Sequence, residues 1–255
     1  MKTPRPYVLQ ENNWKDVKDQ AYTTAVLPWG ATEAHNYHLP YATDSYLAEA
    51  AAITAASIAW ENGARPIVLP VVPFGVNTGQ LDVPLCINMN PSTQLEVLKD
   101  IVQMLDLQNI DKLVIVNAHG GNTFKPIIRE LSAYYPKVFV CALNWWQAED
   151  GNQFFDAPGD HAGELETSAI MHLHPELVLP LDQAGDGKAK TFRIQALNKW
   201  VTSQRKWTSV TKDTGVGDPS KSTAEKGAAF FKATTQTIGD FLTELHHADT
   251  KDMYQ

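Results

Sequence analysis

Cysteine is scarce in this chain: Cys86 and Cys141 are the only two. Two thiols cannot staple 255 residues, so a disulfide-framed secreted scaffold is excluded, and both are expected to be reduced and buried. Long apolar runs are missing too. The richest, Ile67 to Val76, falls well short of the ~20 residues a membrane span needs and is interrupted by Pro70 and Pro73. Met1 to Gln20 lack the apolar core of a signal peptide, so a cytoplasmic location is expected. Basic residues are outnumbered, 21 Lys and Arg against 29 Asp and Glu, for a net charge of -8. That balance argues against a nucleic-acid partner, which needs a basic patch to neutralise phosphates, and against an anionic membrane surface. Several motifs are absent as well. No Gly-x-Gly-x-x-Gly follows the first strand pattern, and Gly215-Val216-Gly217 lacks both a third glycine and a preceding strand. Gly187-Lys188 is no P-loop, because the spaced glycine is missing and alanine follows. A serine hydrolase would need a Gly-x-Ser-x-Gly elbow, and none occurs.

What is present is ample core material, 44% apolar residues with no low-complexity tract, consistent with one α/β domain over residues 1–255. Residues 1–22 read as a polar lead-in with Trp14 as its anchor. A strand is predicted over Thr23 to Trp29, then an alanine-rich helix over Ser45 to Trp60 with Asn62-Gly63 as its stop. Ala64 to Phe74 reads as a second buried strand, and a long loop follows. Thr93 and Glu96 suggest a capping box for a helix running to Leu107. Lys112 to Asn117 is the clearest strand, followed by a helix from near Thr123 with Pro126 in its first turn. Lys137 to Leu143 reads as a fourth strand, His161 to His172 enters a helix, and Thr223 to His246 closes the chain as an amphipathic helix. Strands alternating with helices predict a three-layer α/β/α sandwich around a mostly parallel sheet. Residues 184–221 fit either a lid or a subunit contact.

The chemistry concentrates between Leu27 and Asp44. Glu33 and His35 follow a strand end two residues apart, and in extended backbone such a pair points the same way. Asp44 comes where the next helix begins. Alone, these residues fit a solvated loop equally well. A second cluster, His119-Gly120-Gly121, lies at the tip of the strongest strand, where glycines let backbone approach a ligand closely. The third is His161 with Glu164 and Glu166 at a helix start. Together Glu33, His35, Asp44, His119 and Glu166 form a ligand set for two divalent ions, with the aspartate able to bridge. Mixed imidazole and carboxylate donors suit Zn, Mn or Fe rather than Ca, Zn first. Two such ions lie ~3.5–4 Å apart in hydrolases and generate hydroxide at neutral pH.

Leu27 through Asp44, Asn117-Ala-His-Gly-Gly-Asn122 and His161-Ala-Gly-Glu-Leu-Glu-Thr-Ser168, in that order and spacing, resemble the creatininase (creatinine amidohydrolase) family. The resemblance spans residues from about 20 to 175. It implies an α/β/α layered fold, a binuclear metal centre and a homo-oligomer, often a hexamer. It further implies hydrolysis of a C–N amide bond by a metal-bridging hydroxide, the substrate being a cyclic amide such as creatinine, or a formamide. A maturation peptidase of the same family and a non-catalytic metal-binding scaffold are the alternatives. Carried across, Glu33 and His119 hold one ion, His35 the other, Asp44 bridges them, and His161 shuttles protons. One departure stands out. Creatininase itself has a metal-binding glutamate at the position of Gly121 and a substrate-touching tyrosine at that of Gly120. The second ion therefore needs another acidic ligand, for which Glu166 is the candidate ahead of Glu164. The Gly-Gly version resembles the peptidase and formamide-hydrolase branches more closely. Gly120, Gly121, Trp145 and Trp146 are candidates to meet substrate, with core packing the alternative for at least one tryptophan. Asn122 is read as a helix cap ahead of a substrate-orienting residue, His38 as a supporting residue or an exchange partner of His35, His172 and His174 as dipole complements, and His246 and His247 as solvated.

Overall fold

The structure, a computed structural model, describes residues 3–254. Its sheet has the order β2-β1-β3-β4, with β1 at Thr24–Trp29, β2 at Pro66–Val68, β3 at Lys112–Asn117 and β4 at Phe139–Asn144. Every pairing is parallel, as helical crossovers require. Alternation along the strands sorts the core into two layers. Val26, Val114 and Val116 face one side, where they pack on α2 (Thr43–Glu61), α5 (Glu164–Leu173) and α7 (Ala224–His247). Ala25, Leu27, Trp29, Leu113 and Ile115 face the other, against α3 (Pro91–Leu107) and α4 (Lys125–Tyr134). The three-layer α/β/α expectation is met. Burying each of these branched side chains contributes about 1.5–3 kcal/mol.

The inner layer depends on small residues. Ala48, Ala51, Ala52, Ala55, Ala56 and Ala59 are fully buried on α2, which lets the sheet and α7 approach from different sides. A Cβ at Gly239 of α7 would lie 2.8 Å from Ile58 Cβ, so the two helices cross at a point where only glycine fits. Gly63, at φ +90°, ends α2 as its sequence indicates.

Four local expectations need correction. The strand predicted to Phe74 ends at Val68, because Pro70 and Pro73 carry no N–H for the ladder, although Val72 resumes pairing with Pro28 and Gly30. Thr93 and Glu96 form no capping box. Asn90 precedes Pro91 at the helix start, and Glu96 pairs with Lys99 instead. Trp14, in the short helix α1 (Trp14–Val17), anchors nothing at 77% exposure; the lead-in is held by Val8, which bridges Val68, and by Tyr7, whose hydroxyl bonds Ser57. His246 is half-buried rather than free in solvent, with Nδ1 2.7 Å from Thr23 Oγ1. Cys86 and Cys141 are free and half-buried. Among the described residues no helix is long and apolar enough to cross a membrane.

Thr223 caps α7, accepting at Oγ1 from Lys226 N at 3.2 Å. Thr223→Ala should lower stability by roughly 0.5–2 kcal/mol in urea titrations. The melting temperature should fall by about 2–4 °C per kcal/mol.

Candidate metal centre

The carboxyl ends of β1 and β3 and the amino ends of α2 and α5 meet at one edge of the sheet, where ligands of parallel α/β folds collect. Gly30 makes that meeting tight: a Cβ there would stand 2.6 Å from Ser45 N, so the chain leaving β1 lies directly on the first turn of α2. Glu33 and His35 converge, but from a loop held by isolated bridges to Ile87 and Leu39 rather than from a strand.

Asp44 sits at the centre. Its Oδ1 is 2.9 Å from His35 Nε2, and its Oδ2 is 3.1 Å from His119 Nδ1. Glu33 Oε1 lies 2.8 Å from His119 Nδ1 and 4.0 Å from His35 Nε2, and Glu166 Oε2 lies 3.9 Å from His35 Nε2. Glu33, Asp44 and His119 form one compact donor group; His35, Asp44 and Glu166 form another, with donor atoms of each within 4.8 Å of one another. A third group joins His161 to Glu33 and His35. Glu164, by contrast, is buried in an ion pair with Lys226 and accepts from Ala157 N, away from this cluster.

The other nitrogen of each histidine determines which one faces the carboxylates. His35 Nδ1 is 3.1 Å from the Glu33 carbonyl, His119 Nε2 is 3.1 Å from the Val76 carbonyl, and His161 Nε2 is 2.9 Å from the Ala34 carbonyl. A carbonyl only accepts, so each of these nitrogens carries the proton. In the neutral imidazoles, bare lone pairs at His35 Nε2 and His119 Nδ1 then face carboxylate oxygens. Two acceptors at 2.9–3.1 Å need a cation or a proton between them. Burial opposes charge on His35, yet the Asp44 carboxylate outweighs it and pushes the imidazole up to about 10. Burial likewise opposes charge on His119, which Glu33 and Asp44 nonetheless raise well above the usual histidine value. Desolvation works against ionised Glu33 and Asp44, but the facing imidazoles hold both below the ordinary carboxylate range. Glu166 is raised by desolvation, although 20% of its side chain stays accessible. Three carboxylates with imidazole partners suit two divalent ions in charge and in donor type.

Supporting residues surround the cluster that no sequence motif marks. Gln80, buried, donates to Glu33 Oε2 and accepts from Cys86 Sγ. His38 lies behind the cluster with Nε2 2.9 Å from Thr167 Oγ1; burial pushes it down to about 4, so it stays neutral. It belongs to none of the three donor groups, and Thr167 rather than a carboxylate faces its Nε2. Asn122 is no helix cap. Its Oδ1 accepts from Val76 N and Gln94 Nε2, tying the 76 loop to β3 and α3. Trp145 is buried in the core, edge-on to Phe230, and with the less buried Trp146 it borders a small pocket of about 110 Å³ beside His161. His172 lies in the last turn of α5, and His174 pairs with Glu176 just beyond it.

The segment undecided in sequence contributes the roof. Ser203, Gln204, Arg205 and Trp207 border the metal cavity, about 290 Å³ in volume, with Trp207 opening the short helix α6 (Trp207–Val210). Arg205 bonds Asp160 through both terminal nitrogens and lies 4.7 Å over Trp207, whose ring meets His161 edge-on. Val216 and His161 exchange backbone hydrogen bonds.

Gly121 is a packing requirement. A Cβ there would stand 2.4 Å from His119 Nε2 and from the Val76 carbonyl, whereas one at Gly120 meets nothing within 4 Å. Gly121→Ala should therefore cost about 1–3 kcal/mol in denaturant unfolding, the ordinary range for overpacking. Gly120→Ala should stay within about 0.5 kcal/mol of the parent.

The family model of creatinine amidohydrolase matches residues 10–242. The mycofactocin precursor peptide peptidase of Mycobacterium ulcerans (strain Agy99) is 27% identical over 225 residues, covering 82% of this chain and 80% of its own. The creatinine amidohydrolase of Pseudomonas putida is 26% identical over 206 residues, 71% of this chain and 77% of its own. Among solved structures, a protein of Bacteroides fragilis NCTC 9343 provisionally described as a creatinine amidohydrolase superposes with a TM-score of 0.92 at 42% identity, over 99% of this chain and 100% of that one. Creatininases described as Zn-Zn and Mn forms share the fold with a TM-score of 0.77 at 23% identity, over 95% of this chain and 99% of theirs.

Proposed function

The chain belongs to the creatininase family, hydrolases of carbon–nitrogen bonds, and on that premise we propose that it is a binuclear metal-dependent amidohydrolase of a small amide. The observation that carries this reading is the division of the Asp44 oxygens between His35 and His119, each flanked by a further carboxylate. Glu33 and His119 would hold one ion, His35 and Glu166 the other, and Asp44 both. The Zn-Zn and Mn forms of related creatininases support these metals, Zn first with Mn or Fe as substitutes.

The ions, when bound, supply Lewis acidity toward the amide carbonyl and a nucleophile from water near neutral pH. The protein side chains do the rest. Gln80 donates to Glu33 Oε2 and so leaves Oε1 for the cluster. His161 Nδ1 faces Glu33 Oε1 at 3.8 Å, its ring lying over that of His35 and its Nε2 proton tied to Ala34. It takes a proton at Nδ1 and delivers it to the leaving nitrogen. Arg205 and Trp207 hold the roof that limits water and substrate size. The backbone at Gly120 and the ring of Trp146 meet the substrate, and Trp145, buried behind the same small pocket, acts chiefly through packing.

A maturation peptidase is the second reading, supported by the mycofactocin relative. The unbridged thiols accord with a cytoplasmic enzyme, and the family resemblance with a hexamer, which sedimentation would test.

Elemental analysis of purified protein should find two divalent ions per chain, and His119→Ala should lose at least one. Chelation should lower the melting temperature, since ions bound to the folded state alone stabilise it. His161→Ala should keep both ions and lose about 10²–10⁴-fold in kcat. Loss of metal in that variant would make His161 a ligand instead. A protein with two ions that hydrolyses nothing among creatinine, formamides and short peptides would be a scaffold.

A further inference from the structure

A cavity of about 980 Å³, larger than the metal cavity, runs along the outer edge of β4 between α4 and α7. Its walls are largely apolar, with Ile128, Val140, Leu143 and Phe241 among them, and polar Asn144 and Gln147 at its border. Among the described residues no carboxylate borders it, whereas the exposed cations Lys125 and Arg129 do. Gly120 borders this groove, the metal cavity and the small pocket beside Trp146, and among the described residues no other borders all three. Gly120 itself puts no side chain at this junction, and a Cβ there would meet nothing within 4 Å.

We propose that the substrate is an elongated amide whose reacting group sits at the metal cluster, whose apolar arm passes over Gly120 into the β4 groove, and whose anionic end meets Lys125 and Arg129. The proposal rests on the amidohydrolase reading for its chemistry. In that reaction the oxygen of water bonds the carbonyl carbon and the C–N bond breaks. The electron pair stays on nitrogen, which is protonated, leaving a carboxylate and an ammonium. The arm is argued from the groove alone. The metal cavity is polar and confined, so it can place an amide but offers little apolar surface to discriminate one amide from another. The groove supplies that surface, and each buried methylene tightens binding by about fourfold. The two cations then favour an anionic terminus over a neutral one in a protein whose overall charge is -8.

The test uses metal-loaded protein and monoamides of linear dicarboxylic acids with four to twelve carbons, with calorimetric binding and ammonia release read in parallel. Affinity should rise by about fourfold per methylene and level off once the carboxylate reaches the cations. Gly120→Phe should flatten the series. Lys125→Gln with Arg129→Gln, both on the surface, should weaken the acids to the level of their methyl esters. Binding that follows this pattern without ammonia release upholds the groove and sinks the amidohydrolase reading. Affinity independent of chain length in the parent protein overturns the proposal. So does tighter binding of an acetylated tetrapeptide amide. Sedimentation showing that Phe241→Glu dissociates an oligomer while leaving the series unchanged would overturn it too, because the groove would then belong to a second copy.

Discussion

Asp44 offers one oxygen to His35 and the other to His119, and the remaining architecture serves to hold it there. A buried carboxylate with acceptors on both sides is tolerable only if positive charge lies between them. Glu33 and Glu166 add to that requirement, and the nearest permanent cation bordering the cavity, Arg205, is taken up by Asp160. The cluster therefore calls for positive charge among its carboxylates, as protons on its imidazoles or as bound cations.

Reaching that geometry depends on close approach as much as on charge. Gly30 brings the end of β1 onto the first turn of α2, and Gly121 leaves room for the His119 ring against the Val76 carbonyl. The buried alanine face of α2 lets that helix sit between the sheet and α7, so Asp44 is carried by an element packed on several sides. The carbonyls of Glu33, Val76 and Ala34 then orient three imidazoles without using any further side chain. Ligand precision here is a property of backbone positions, which packing makes rigid.

Much of this was legible in the chain. Apolar strand runs, the alanine-rich and amphipathic helix patterns and the Asn62-Gly63 stop located β1, β3, α2 and α7 to within a residue or two, because these elements are long or fully buried and little competes with their patterns. The five acidic and imidazole residues were also legible as candidates, since each stands in the loop after a strand or in the first turn of a helix, where a parallel sheet collects functional groups. Failures fell where a local signal lost to its surroundings. Thr93 and Glu96 have capping-box spacing, yet Pro91 begins the helix two residues earlier. Asn122 precedes a helix, yet its amide is claimed by Val76, Gln94 and Asn117.

By itself the sequence determined the layered α/β class, the order of the strands along the chain and the donors able to bind metal, because periodicity and residue chemistry are local properties. Only the tertiary structure decided that Glu166 rather than Glu164 faces His35, that Gln80 and Trp207 support the centre, and that Gly120 opens onto a groove. Those outcomes turn on which residues distant in the chain come within a few ångströms of one another. Lys226 takes Glu164 from 62 positions away, and no spacing within α5 records that.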